Sequence, residues 1–121
     1  MIRVLIADDT QFMRANLKII LERNKMEVVG EADNGIKVVK LYDELKPDVV
    51  TMDITMPGMD GIEAVRQIRK KDPNARIIMV TALGQEMFVR EAVVAGAKNF
   101  IVKPFKEEKI IDVITKLVAV R

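Results

Sequence analysis

The sequence predicts a single α/β domain of five βα units, with one parallel sheet covered by helices on both faces. Two features carry this expectation. Short apolar, β-branched runs recur along the 121 residues, and the stretches between them return apolar residues at helical spacing. Units of roughly 20 to 25 residues leave room for one crossover helix after each strand, and right-handed crossovers place such helices on both faces of a sheet.

The first run, Ile2 to Ala7, is continuously apolar from Val4, as a strand buried on both faces should be, and Met13, Leu17, Ile20 and Leu21 then line one side of a helix. Val28 and Val29 with their flanks form the second strand. Val38, Leu41 and Leu45 mark its helix, which stops at Lys46-Pro47 because proline pushes the preceding residue out of helical geometry. The third strand, Val49 to Met52, runs into "DITMPGMDG". There Pro57 and Gly58 suit a turn and Asp60 suits the cap of a helix built on Ile62, Val65 and Ile68, ending at Asp72-Pro73. The fourth strand is Ile77 to Val80, its helix carries Val89, Ala92 and Val93, and Ala95-Gly96 is the stop. Phe100 to Val102 with Ile110, Ile114 and Leu117 complete the fifth unit. Met52, Met56 and Met59 read as core that fills gaps.

Composition narrows the chemistry. With 20 basic and 18 acidic residues the net charge is only +2, and Lys and Arg are scattered, so neither nucleic acid nor membrane binding is implied. There is no cysteine and no histidine, which removes disulfides, thiolate sites and imidazole chemistry. Any metal must be held by oxygen. No signal-peptide pattern and no run of about 20 apolar residues is present, so a cytoplasmic protein is expected.

In open parallel sheets ligands bind outside the carboxyl ends of the strands. Asp8 and Asp9 follow the first run, Asp53 the third, Thr81 the fourth and Lys103 the fifth. Each has a plain structural explanation by itself. Asp9, Thr10 or Thr81 could cap a helix, and Lys103 could be a surface lysine whose stem covers apolar neighbours. Jointly they say more. Three carboxylates at one edge repel, which raises a pKa or recruits a cation, and an all-oxygen set favours Mg²⁺, or Mn²⁺, over zinc or copper. A metal and a lysine that neutralise phosphoryl oxygens beside a nucleophilic carboxylate form a site for phosphoryl transfer. Asp53, on the expected central strand, is the best nucleophile.

The segments "VLIADDTQFMR", "VVTMDITMPGMDG", "IIMVTALGQ" and "AGAKNFIVKPF" together resemble the receiver domain of two-component response regulators, over residues 1–121. Within that family the chain is most similar to stand-alone chemotaxis regulators of the CheY type. The resemblance implies a flavodoxin-like (CheY-like) three-layer sandwich with strand order 2-1-3-4-5. It makes Asp53 the phosphoacceptor, charged by a histidine kinase of the CheA type, with self-phosphorylation from small phosphodonors and slow autodephosphorylation in place of turnover as an enzyme. Asp9 would ligate Mg²⁺ directly and Asp8 mainly through metal-bound water. Asp53 and the backbone carbonyl of Thr55 would complete the protein ligands. Lys103 would pair with the phosphoryl group, the bond from Lys103 to Pro104 would be cis, and Thr81 would hydrogen-bond a phosphoryl oxygen. Phe100 would be the aromatic switch, turning inward as Thr81 moves; a fixed core position is the alternative for that ring.

The implied output face comprises the fourth helix, fifth strand and fifth helix, near Phe88 to Arg90, Lys98 to Phe100 and Phe105 to Lys109. Lys98, Lys106 and Lys109 make it basic, which suits an acidic partner segment, although a solvated charged face is the simpler reading. No output domain follows Arg121, which supports a protein that acts by binding partners, expected to be a monomer: the implied partners are a motor-switch protein or an adaptor to the motor, and a phosphatase. A non-chemotactic phosphorelay is the alternative. Phosphatases of the haloacid dehalogenase type share the Asp, Mg²⁺, Thr and Lys, but place their nucleophile on the first strand. A flavodoxin-like FMN carrier would need a phosphate-binding loop where "ADDT" would repel phosphate. A receiver that docks without phosphorylation would typically have lost the acidic pair or the acceptor.

Overall fold

In the computed structural model, residues 1–119 are described. Val120 and Arg121, the last positions of the expected domain, lie outside the described residues. The elements alternate without interruption: β1 (Arg3–Ala7), α1 (Gln11–Arg23), β2 (Glu27–Ala32), α2 (Gly35–Leu45), β3 (Val49–Asp53), α3 (Gly61–Lys71), β4 (Ile77–Thr81), α4 (Glu86–Ala95), β5 (Asn99–Val102) and α5 (Glu107–Ala119). The strands form one sheet in the order β2-β1-β3-β4-β5, and all four pairings are parallel. This is the flavodoxin-like sandwich expected from the sequence.

Strand alternation divides the core in two. Val4 and Ile6 of β1 face a layer made by Leu17, Ile20 and Leu21 of α1 and Ile110 and Ile114 of α5. Leu5 and Ala7 face the opposite way, onto Val38 of α2, Val65 and Ile68 of α3 and Ala92 of α4. Every residue of β3 and β4 is buried, which explains why their sequences read as near-continuous apolar runs, with Thr51 the one polar residue inside them before the strands end at Asp53 and Thr81. The edges differ. In β2 most positions are only half buried, and in β5 Ile101 alone is buried, so Phe100 and Val102 lie partly in solvent.

The helix boundaries follow local chemistry. Asn34 and Asp60 cap α2 and α3, accepting from the backbone N–H of Lys37 at 2.8 Å and of Glu63 at 2.9 Å. Lys46 closes α2 in the left-handed conformation and Gly96 closes α4. At Gly61 the need is contact, not conformation: its N–H donates to the Ile54 carbonyl at 2.7 Å, and a Cβ there would lie 2.0 Å from the Asp53 carbonyl oxygen. The start of α3 is thereby pressed against the end of β3.

Candidate functional site

The carboxyl ends of β1, β3 and β5 converge on one edge. Asp8 follows β1 directly and is 1% exposed, Asp9 is exposed, and Asp53 is the last residue of β3 at 7% exposure. One carboxylate oxygen from each of Asp8, Asp9 and Asp53 lies within 4.8 Å of the others. Lys103, just past β5, places Nζ 3.2 Å from Asp8 Oδ2 and 3.8 Å from Asp53 Oδ2. One ammonium thus faces two buried carboxylates. The Lys103–Pro104 peptide bond is cis.

Asp8 is the most firmly held of the three acids. Its Oδ1 accepts from the Thr10 N–H at 2.9 Å and the Thr10 hydroxyl at 2.8 Å, and its carbonyl accepts from the Arg14 guanidinium at 2.7 Å. Thr10 is the N-cap residue of α1, but its hydroxyl serves Asp8 and makes no cap to the helix. Neither Thr10 nor Arg14 stands out in the sequence as part of the site.

Asp53 is pushed up to about 6, chiefly because burial penalises its charge. Lys103 and the Ile54 backbone N–H oppose the rise, while Asp8 and Asp9 add to it. Three oxygen donors of net negative charge with one ammonium to neutralise them fit a hard divalent cation of the Mg²⁺ kind.

Thr81 ends β4 and is 1% exposed. It does not cap α4, where Gln85 holds the cap position. The Thr81 hydroxyl donates to Gln85 Oε1 at 3.0 Å and lies 3.3 Å from the Ala82 carbonyl. The same Oε1 accepts from the Ala82 N–H at 2.7 Å, and Gln85 Nε2 donates to the Thr55 hydroxyl at 3.1 Å. A backbone N–H can only donate, so the 2.7 Å contact identifies Oε1 and fixes the orientation of the amide. Thr55 itself is exposed on the loop after β3. No sequence pattern marks Gln85 as part of the site, although the four-residue interval from Thr81 lets its side chain reach back.

Phe100 is 42% exposed, so in this conformation the ring is not a fixed core residue. Beside it an apolar groove of about 430 Å³ is lined by Thr81, Val89, Val93, Phe100 and Val102 among others. The surface around the groove is more apolar than the lysines alone suggest. Met87, Phe88 and Val94 are exposed on α4, alongside Lys98, Lys106 and Lys109.

Residues 4–115 match the model of the response regulator receiver domain. The chain belongs to this family. It is 55% identical over 115 residues to the chemotaxis protein CheY of Thermotoga maritima, with 95% of this chain and 96% of that protein covered. It is 52% identical over 116 residues to CheY of Listeria monocytogenes, with 96% and 98% covered. Among solved structures, the CheY of a CheX–CheY–BeF3–Mg complex from Borrelia burgdorferi superposes with a TM-score of 0.91 at 38% identity, covering 99% of this chain and 90% of that one. Receiver domains are signalling switches, not conventional enzymes, and bind Mg²⁺ at an acidic pocket; in this receiver Asp8, Asp9 and Asp53 form an acidic cluster consistent with that family site. Among the described residues no helix is long and apolar enough to cross a membrane.

Proposed function

We propose that this receiver, over residues 1–121, is the phosphoacceptor switch of a cytoplasmic two-component chemotaxis pathway. The observation that carries the reading is the buried Asp53 carboxylate, 3.8 Å from the Lys103 ammonium and clustered with Asp8 and Asp9 at the end of the central strand. Asp9, Asp53 and the Thr55 carbonyl would hold Mg²⁺, with Asp8 acting through bound water. When bound, Mg²⁺ neutralises charge on the phosphoryl oxygens.

Asp53 supplies the nucleophilic oxygen. Its attack on the phosphorus of a phosphohistidine breaks the N–P bond, and the imidazole of a CheA-like kinase leaves. A small donor such as acetyl phosphate serves in the same way, losing acetate. Lys103 pairs with the transferred group and Thr81 donates its hydroxyl to one phosphoryl oxygen. The phosphoryl group brings roughly −1.5 to −2 charges and three acceptor oxygens, so it favours the conformer in which both residues reach it. Departure of Thr81 opens space into which Phe100 turns. The altered face of α4, β5 and α5, apolar around Phe100 and edged by Lys98, Lys106 and Lys109, is then read by a motor-switch protein or an adaptor, and a phosphatase resets the monomer.

Incubation with Mg²⁺ and acetyl phosphate tests the reading. Labelling of Asp53 up to one equivalent, absent in Asp53→Asn, is expected. Equal labelling of both proteins overturns it.

A further inference from the structure

We infer that Gln85 is a positioning residue that holds Thr81 in the unphosphorylated conformation and ties its release to the start of α4. The inference rests on the reading that Asp53 accepts a phosphoryl group. Its physical basis is a count of protons. A threonine hydroxyl carries a single donor hydrogen, and here its nearer acceptor is Gln85 Oε1 at 3.0 Å, with the Ala82 carbonyl farther off at 3.3 Å. A phosphoryl oxygen on Asp53 is also an acceptor, so it and Gln85 compete for the same proton. One bond must break for the other to form.

The amide joins three segments at once. Oε1 takes the Thr81 hydroxyl and the Ala82 N–H, while Nε2 reaches across to the Thr55 hydroxyl on the β3–α3 loop. Gln85 is also the N-cap residue of α4, and its carbonyl accepts from the Val89 N–H at 3.1 Å in the first turn. Beyond that anchor α4 is lightly held, with Ala92 its one buried residue. Loss of Thr81 from the Gln85 amide therefore removes a tie between the last residue of β4 and the start of α4, the helix that lines the groove beside Phe100. After release, Oε1 still keeps the Ala82 N–H, so the alternative conformer leaves no orphaned acceptor.

Contacts present in one conformer and absent in the other oppose the transition by their own free energy, and their removal favours it equally. A net hydrogen bond of about 1 kcal/mol corresponds to about a fivefold change in equilibrium. The test titrates beryllofluoride with Mg²⁺ into the parent protein, Gln85→Ala and Gln85→Met, the last keeping side-chain length without the amide. Both variants should bind beryllofluoride about fivefold more tightly, while the urea midpoint of each unliganded variant falls. In their unliganded spectra the Thr81 methyl resonance should shift toward its beryllofluoride-bound position. A residue that only supports the fold would weaken both states alike, leaving affinity and the Thr81 resonance unmoved. Either variant, folded and binding with parental or weaker affinity, overturns the inference. Failure of the parent itself to bind beryllofluoride at Asp53 would instead remove the phosphoacceptor reading beneath it.

Discussion

Replacing Asp53 with Asn should make the metal-free protein more stable at neutral pH and should do so in a pH-dependent way. The Asp53 carboxyl is raised from 3.8 to about 6, mainly by burial. About two pH units at roughly 1.4 kcal/mol per unit make the cost of keeping it ionised about 3 kcal/mol at pH 8. The sign follows from proton binding. Below about pH 4 the carboxyl is neutral in folded and unfolded chains alike and costs nothing. Between about 4 and 6 the unfolded chain has lost its proton while the folded one retains it, so stability falls as pH rises, and above about 6 the full penalty applies. Asn carries no such penalty. Urea denaturation of parent and Asp53→Asn in EDTA across pH 4.5 to 8 should therefore give curves separated by about 1 kcal/mol at the acid end and by about 3 kcal/mol at pH 8. The corresponding gap in melting temperature is about 10 °C. Saturating Mg²⁺ should narrow the gap by stabilising the parent. A variant no more stable than the parent at pH 8, or a difference that ignores pH, would refute the assignment of burial as the dominant influence on Asp53.

Other perturbations separate the parts of the site from those of the scaffold. Lys103→Met removes the cation that lowers Asp53, so NMR titration should show the Asp53 carboxyl rising further while acetyl phosphate labelling falls. Gly61→Ala would set a Cβ 2.0 Å from the Asp53 carbonyl oxygen, where only backbone can give way; chemical denaturation should report a loss of at least about 2 kcal/mol, with reduced labelling of Asp53. Tyr42 donates to Asp72 Oδ2 at 2.7 Å, and burial with that bond pushes its hydroxyl above the usual range. Tyr42→Phe should cost about 1 kcal/mol by urea denaturation and leave labelling at Asp53 intact, because the pair joins α2 to the end of α3, away from the acidic edge.

The order of elements was legible because β1, β3 and β4 are buried on both faces and must be apolar without alternation. The rule that ligands gather at strand ends was enough to bring Asp8, Asp9, Asp53 and Lys103 together, since parallel pairing aligns those ends whatever the loops do. What lay beyond the sequence depends on contacts between segments. Phe100 and Val102 belong to an apolar run, yet β5 is an edge strand beneath a lightly packed helix, so two of its three apolar side chains reach solvent. Thr10 resembles an ordinary cap, and only the approach of Asp8 redirects its hydroxyl. The role of Gln85 requires the β3–α3 loop to lie beside the end of β4, a proximity that no local pattern encodes.

The Lys103–Asp8 pair spans 95 positions of sequence, and this separation imposes an order in time on synthesis. Asp53 leaves the ribosome about 50 residues ahead of Lys103, an interval of roughly 3 to 10 s at usual elongation rates. Throughout it, the carboxylates of a nascent chain have no ammonium of their own opposite them. A partly made chain therefore carries the carboxylates of Asp8 and Asp53 without the ammonium that faces them in the finished fold, and the charge of the acidic edge is balanced only once the last strand is in place.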